Sequence, residues 1–215
     1  MLERGSSHTS KIPLPVDHIL LHLIAHNTCR GLASNKSVLR LMANFTAVQV
    51  PLLHPDLATI CDITVIRPTD WRMPLCLRPT QLQMFLPHPG WIDALPFPKI
   101  RDNLIRRQHS FDHIRFLEDL VGDSVHLLPP SVPEQDGHML FPDPGSNDMG
   151  HDNQTTHDPR GLILWGEPYL KESWEATPGF LGKWAWTMEG CDELVKISNG
   201  WRISRGEDPL VVPCC

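Results

Sequence analysis

The chain has 215 residues, long enough to bury a core without disulfide or metal support. Its apolar fraction is an ordinary 41%, but 21 residues are proline, about double usual usage, so it reads as globular and heavily punctuated rather than low-complexity. A formal net charge of −6 argues against a protein that holds DNA through its own phosphate contacts.

Residues 1–15 are polar, with Pro13 and Pro15, and read as a disordered lead-in. Asp17 then has the character of an N-cap, and the following residues show helical apolar spacing, with Ile19, Leu20, Leu23 and Ile24 on one arc. Gly31 reads as the stop of that helix. A second helix is predicted from Asn35 to about Phe45, with Val38, Leu39, Leu41, Met42 and Phe45 as its apolar face. Between 46 and 98 nine prolines exclude long helices. Extended segments are expected around 63–67 and 80–86, and one short helix near Trp91–Leu95.

After Pro98 the stretch KIRDNLIRRQ is helical, with Ile100, Leu104 and Ile105 inward and Arg101, Arg106 and Arg107 toward water. Lys99 joins those arginines in the densest basic stretch, which reads as a solvated helix face rather than a nucleic-acid patch. A further helix is predicted from Asp112 to Val121. Residues 129–160 are rich in Pro, Gly and Asp, lack hydrophobic periodicity and read as a flexible acidic loop. Gly161–Trp165 is a short apolar run, expected to be a strand. Thr177–Pro178 opens a helix with a hydroxyl cap and proline at its first position. Phe180, Leu181, Trp184, Ala185 and Met188 form its stripe, Gly190 ends it, and a last helix runs from Asp192 to about Arg205.

The six cysteines form no C-x-x-C pair, so a zinc ribbon or a thioredoxin-type site is not indicated. The start of the chain lacks the apolar core of a signal peptide, and the cysteines therefore read as reduced thiols of a protein that is not secreted. No run approaches about 18 apolar residues, so no membrane span is expected. The terminal Cys214–Cys215 pair reads as an exposed, oxidisable tail.

Three constellations could carry chemistry. His18, His22 and His26 follow each other at helical spacing, and two neighbouring imidazoles could share a Zn²⁺; the plainer reading is the polar shoulder of a helix. In PHPGWIDALPFP, His88 and Asp93 could form an acid–base pair beside Trp91, or the segment could be a rigid turn whose tryptophan anchors the core. WGEP (165–168) places Glu167 where it could act as a base, and the tryptophans, Trp165 and Trp184 among them, could line a pocket for a flat ligand or simply fill the core. Glu193 joins His88, Asp93 and Glu167 as a candidate catalytic carboxylate, and Arg202 joins Trp91, Trp165 and Trp184 as a candidate binding residue. Phosphate loops, G-x-S-x-G and H-E-x-x-H are absent, and no cofactor is called for.

Taken in order, LRPTQLQ, HPGWID-LPFP, RDNLI, WGEP, KWAW and W-R-RGE resemble one fungal family. It is the domain of unknown function that lies C-terminal to the basic-leucine-zipper region in many fungal transcription factors, and the resemblance runs from about residue 17 to 210. About fifteen residues precede it here, with neither basic spacing nor heptads, so no element that would enter the major groove is expected in this sequence: a stand-alone member, a truncated gene model, or a product whose partner supplies the DNA contact. The resemblance implies a transcription-linked regulatory module of the nucleus or cytoplasm. It would act through protein partners or an effector pocket, without direct DNA contact. The alternative is a small non-standard enzyme of fungal secondary metabolism, encoded in a biosynthetic gene cluster.

The expected fold is mainly α: one compact helical domain with irregular, proline-rich extended segments and one long disordered loop. Residues 16–128 and 161–210 would share a core, with the loop between them and a tail at 211–215.

Overall fold

The first helix runs past the glycine expected to end it. In the computed structural model, which describes residues 16–48, 62–122 and 161–211 (the backbone alone for 16–22), helix α1 spans Val16–Met42 without a break. Gly31 is where α1 crosses another part of the chain. A Cβ there would meet Leu164 Cδ2 at 2.4 Å and Pro168 Cβ at 3.3 Å, so the glycine permits close approach rather than a stop. The second helix expected at 35–45 is the end of α1 and the start of strand β1, Ala43–Ala47, which takes Phe45.

The buried stripe of α1 consists of Thr28, Cys29, Leu32, Asn35, Lys36 and Leu39. It keeps helical spacing but is half polar, which is why an apolar arc misplaced it. Leu23, expected inside, is 53% exposed, and Leu41 is 85% exposed. The polar members are buried because each meets a fixed acceptor. Thr28 donates to the Leu162 carbonyl at 2.8 Å, and the Asn35 amide donates to the carbonyls of Ala94 (2.9 Å) and Pro168 (2.8 Å).

Strand β2, Ile63–Pro68, pairs antiparallel with β1 from Ala43↔Pro68 to Ala47↔Thr64. The two-residue strand β3, His88–Pro89, closes on the other edge of β2 through Thr64↔His88 and Ile63↔Pro89. The extended segment expected at 63–67 is thus β2, but that expected at 80–86 is a helix, α2, Gln81–Phe85. A capping box overrides the flanking prolines: Thr80 Oγ1 accepts from Gln83 N, and Gln83 Oε1 accepts from Thr80 N. The short helix expected at Trp91–Leu95 is a 3-10 turn, Ile92–Ala94.

Helix α3, Pro98–Arg106, and helix α4, His113–Val121, follow as expected, the latter capped by Asp112. Strands β4, Leu162–Leu164, and β5, Trp174–Ala176, pair antiparallel and lie against α1 and the last helix. Thr177 caps α5, Pro178–Trp184, with Pro178 at its first position. A 3-10 turn at Ala185–Met188 and Gly190, at φ +68°, separate it from α6, Glu193–Ser204.

The fold is helical with some short strands. One buried cluster draws on α1 (Cys29, Leu32), the Trp91–Phe97 segment, α3, α4, β4, β5, α5 and α6 (Leu194). At its centre Phe116 packs on Trp91, Phe180 and Trp184 with ring centroids 5.3, 5.8 and 4.9 Å away. Such aromatic pairs contribute about 0.5–1.5 kcal/mol each beyond their burial. A smaller cluster, Leu39, Ala43, Ile66, Met73 and Leu77, lies where the end of α1 meets β1 and β2. The stretches read as the lead-in (1–15) and acidic loop (129–160), and the tail beyond Val211, lie outside the described residues. Among the described residues no helix is long and apolar enough to cross a membrane.

Candidate functional site

The proline-framed turn between β2 and α3 folds inward, and its two ionisable side chains meet under full cover. His88 Nε2 lies 2.8 Å from Asp93 Oδ1, and both side chains are completely buried. His88 Nδ1 lies 2.7 Å from the Leu86 carbonyl, which can only accept, so that nitrogen donates. Lys36 of α1 approaches Asp93 Oδ2 at 3.7 Å and donates to the Gly90 carbonyl. Gln83 Nε2 donates to Asp93 Oδ1 at 2.6 Å. Burial alone would raise the Asp93 carboxyl, but His88, Lys36 and Gln83 outweigh it and hold it below the ordinary value. Facing a carboxylate, His88 Nε2 donates as well.

Arg101 completes this network and corrects the expectation that it faces water: its side chain is wholly buried. Its guanidinium donates to Gln83 Oε1 (2.9 Å) and to the carbonyls of Cys76 (2.7 Å), Leu95 (2.6 Å) and Arg78 (2.7 Å). The planar fork is thus filled by acceptors on three segments. Burial pushes Arg101 down to about 10, which leaves it charged at neutral pH. The next residue, Asp102, accepts from Thr80 Oγ1 at 2.6 Å and so ties the α2 cap to α3.

The network ties up His88 and Arg101, while Asp93 Oδ2 is buried without a hydrogen-bond partner among the described residues and has only the Lys36 ammonium near it, at 3.7 Å. Both imidazole nitrogens of His88 face acceptors, so neither offers a lone pair to a substrate proton. Glu167 and Glu193 do not join it. Glu167 is exposed on its turn, where its backbone carbonyl accepts from Leu170 N at 3.1 Å. Glu193 is exposed and pairs with Lys171 at 2.7 Å. Trp91 is a core residue, and Trp184 is another whose indole N–H donates to Asp119 at 2.9 Å. Arg202 binds the Asp208 carbonyl and Glu207, fastening the segment after α6. His26 is exposed, the side chains of His18 and His22 lie outside the described residues, and among the described residues no cluster of three or more His, Cys, Asp or Glu could hold a metal.

Of the candidate binding residues, Trp165 borders an open cleft. The cleft, about 310 Å³, lies between α1 and the WGEP turn; Asn27, Arg30 and Ser34 line one side, and Leu164, Trp165 and Pro168 the other. The turn is pinned from several directions. The Pro168 carbonyl accepts from both Asn35 and Trp174, and Trp165 N donates to the Ser173 carbonyl. Trp165 itself is held by Glu175, buried in β5, whose Oε2 accepts from the indole N–H at 2.7 Å. Arg205 grips the same carboxylate at 2.9 and 2.6 Å, lies 5.3 Å from the Trp165 ring centroid and is raised by its bonds to Glu175 and Glu207. Sequence reasoning missed Lys36, Gln83, Arg101, Glu175 and Arg205, although LRPTQLQ, RDNLI and W-R-RGE contain three of the five.

No curated protein and no solved structure matches the chain. Residues 64–195 match the family described as domain of unknown function DUF3425. That segment holds the buried His88–Asp93–Arg101 network apart from Lys36, together with the WGEP turn and Glu175, and it spans more than half of the 215 residues; the chain belongs to this family.

Proposed function

We propose that the chain is a transcription-linked regulatory module that acts by binding rather than by catalysis. The observation that carries this reading is the state of the His88–Asp93 pair. The most enzyme-like residues of the sequence are wholly buried, and both His88 ring nitrogens are spent on internal acceptors. Glu167 and Glu193, the other candidate carboxylates, stand apart from it on the surface.

The resemblance to the domain that follows the basic-leucine-zipper region of fungal transcription factors supplies the transcriptional part of the reading. Charge supports a partner-dependent role over autonomous DNA binding. The basic stretch on α3 is consumed internally: Arg101 is buried, Arg106 faces Asp102 at 3.7 Å and Arg107 pairs with Glu189 at 2.8 Å. A module of this kind works in the nucleus or cytoplasm through a DNA-binding partner or a transcriptional complex.

Deletion of the gene, with transcripts and metabolites measured together, tests the reading. Collapse of the transcripts of neighbouring biosynthetic genes is the expected result. Normal transcripts with accumulation of one intermediate would overturn it in favour of an enzyme.

A further inference from the structure

We propose that the cleft between α1 and the WGEP turn is a binding site for a small aromatic carboxylate. This goes beyond the regulatory reading and stands or falls independently of it. Three observations converge. The first is charge. Among the described residues Arg30 is the single charged side chain lining the cleft; it is exposed and makes no hydrogen bond or ion pair with any of them. Asn27 and Ser34 stand three residues before and four after it, so all three share one face of α1 and present polar groups beside the guanidinium. A guanidinium fork of this kind matches the two oxygens of a carboxylate.

The second is the opposite wall. Trp165 is 47% exposed, yet its indole is fixed by the bond to Glu175, by Arg205 and by Trp201, whose ring lies 5.7 Å away and tilted 30°. A large aromatic surface held rigid at a cleft loses little freedom when a flat ligand packs on it. The third is size and floor. The cleft of about 310 Å³ is at the small end of ligand sites, roughly 300–1,000 Å³. Its floor is fixed where Gly31 abuts Leu164 and Pro168. Arg30 therefore takes the carboxylate while the ring of the ligand lies along Trp165.

Titration calorimetry of the full chain with benzoate, with its neutral amide benzamide and with inorganic phosphate tests this. The expected result is one benzoate per chain, bound at least tenfold more tightly than benzamide or phosphate. Arg30→Gln is expected to cost benzoate tenfold and to leave benzamide and the melting temperature unchanged. Equal binding of benzoate and benzamide would overturn the role of the charge. Phosphate binding as tight as benzoate would overturn the aromatic assignment. No benzoate binding at tens of millimolar, or an Arg30→Gln variant that binds benzoate normally, would overturn the site. The wild-type comparison of the three probes decides the matter even if a variant folds poorly.

Discussion

His88 and Asp93, five residues apart on one turn, share a 2.8 Å contact from which solvent is wholly excluded. Lys36 and Gln83 complete the surroundings of the carboxylate, so its ionised form is stabilised by the fold. The carboxyl is lowered in the folded chain from 3.8, so its contribution is complete above that value and is lost as pH falls through the lowered one. Asp93→Asn leaves Lys36 and His88 buried beside a neutral amide, at a cost of about 3–5 kcal/mol near neutral pH. Urea unfolding across pH checks both parts: the variant should be less stable at pH 7 and should lack the acid-side decline due to this carboxyl.

Arg101 is expected to resist its most conservative replacement. Lysine keeps the charge but cannot reach Gln83 and the carbonyls of Cys76, Arg78 and Leu95 together from one nitrogen. Arg101→Lys should therefore cost about 3–5 kcal/mol, since it leaves buried acceptors unmet. Denaturant midpoints at constant slope would measure this.

His113 gives a second pH dependence, with a different cause. Its Nε2 donates to the Gln108 carbonyl at 2.7 Å, and Nδ1 is buried without a hydrogen-bond partner. Burial is the main influence and pushes the imidazole below its ordinary 6.5, because a second N–H would have no acceptor. The unfolded chain then binds a proton that the folded chain refuses. This contribution is full above about 6.5 and is lost as pH falls through the folded value. His113→Phe should remove that component of the stability loss as pH falls below about 6.5, as read by unfolding midpoints.

Two glycines in helices should respond in opposite directions. Gly31→Val places branched methyls against Leu164, Pro168 and Trp174, with Pro168 Cβ only 3.3 Å from the position of the first carbon. Overpacking of this kind costs about 1–3 kcal/mol. Nothing lies within 4 Å of a Cβ on Gly182, in α5, so Gly182→Ala should gain about 0.5–1 kcal/mol of helix stability. Thermal melts of the two variants should shift in opposite senses.

Local chemistry made much of the fold legible. Thr177–Pro178, Asp112 and Gly190 mark element ends because caps and a positive φ are decided by a few neighbouring atoms. The helix at 81–85 was legible too, in Thr80 and Gln83, but the surrounding prolines drew attention from it. Strand β1 and the burial of Arg101 were not legible, since pairing with β2 and the carbonyls around the guanidinium come from other segments. Of the candidate site, Trp165 was visible in WGEP as one of the tryptophans that could line a pocket for a flat ligand or fill the core. Arg30 was not, because a lone arginine on a helix looks the same whether it faces a cleft or open water.

The contact between Thr28 and the Leu162 carbonyl joins residues 134 positions apart. A ribosome delivers α1 early and β4 late, so the inner face of the helix waits for most of translation before its partner emerges. Until then Thr28 lacks its acceptor, and the inner face of α1 has the 92–94 turn and α4, but not β4, to pack on. Closure of the core is therefore a late event in the life of the nascent chain. A product that stopped short of β4 would leave that face partly uncovered to chaperones and proteases rather than fold as a smaller version of the whole.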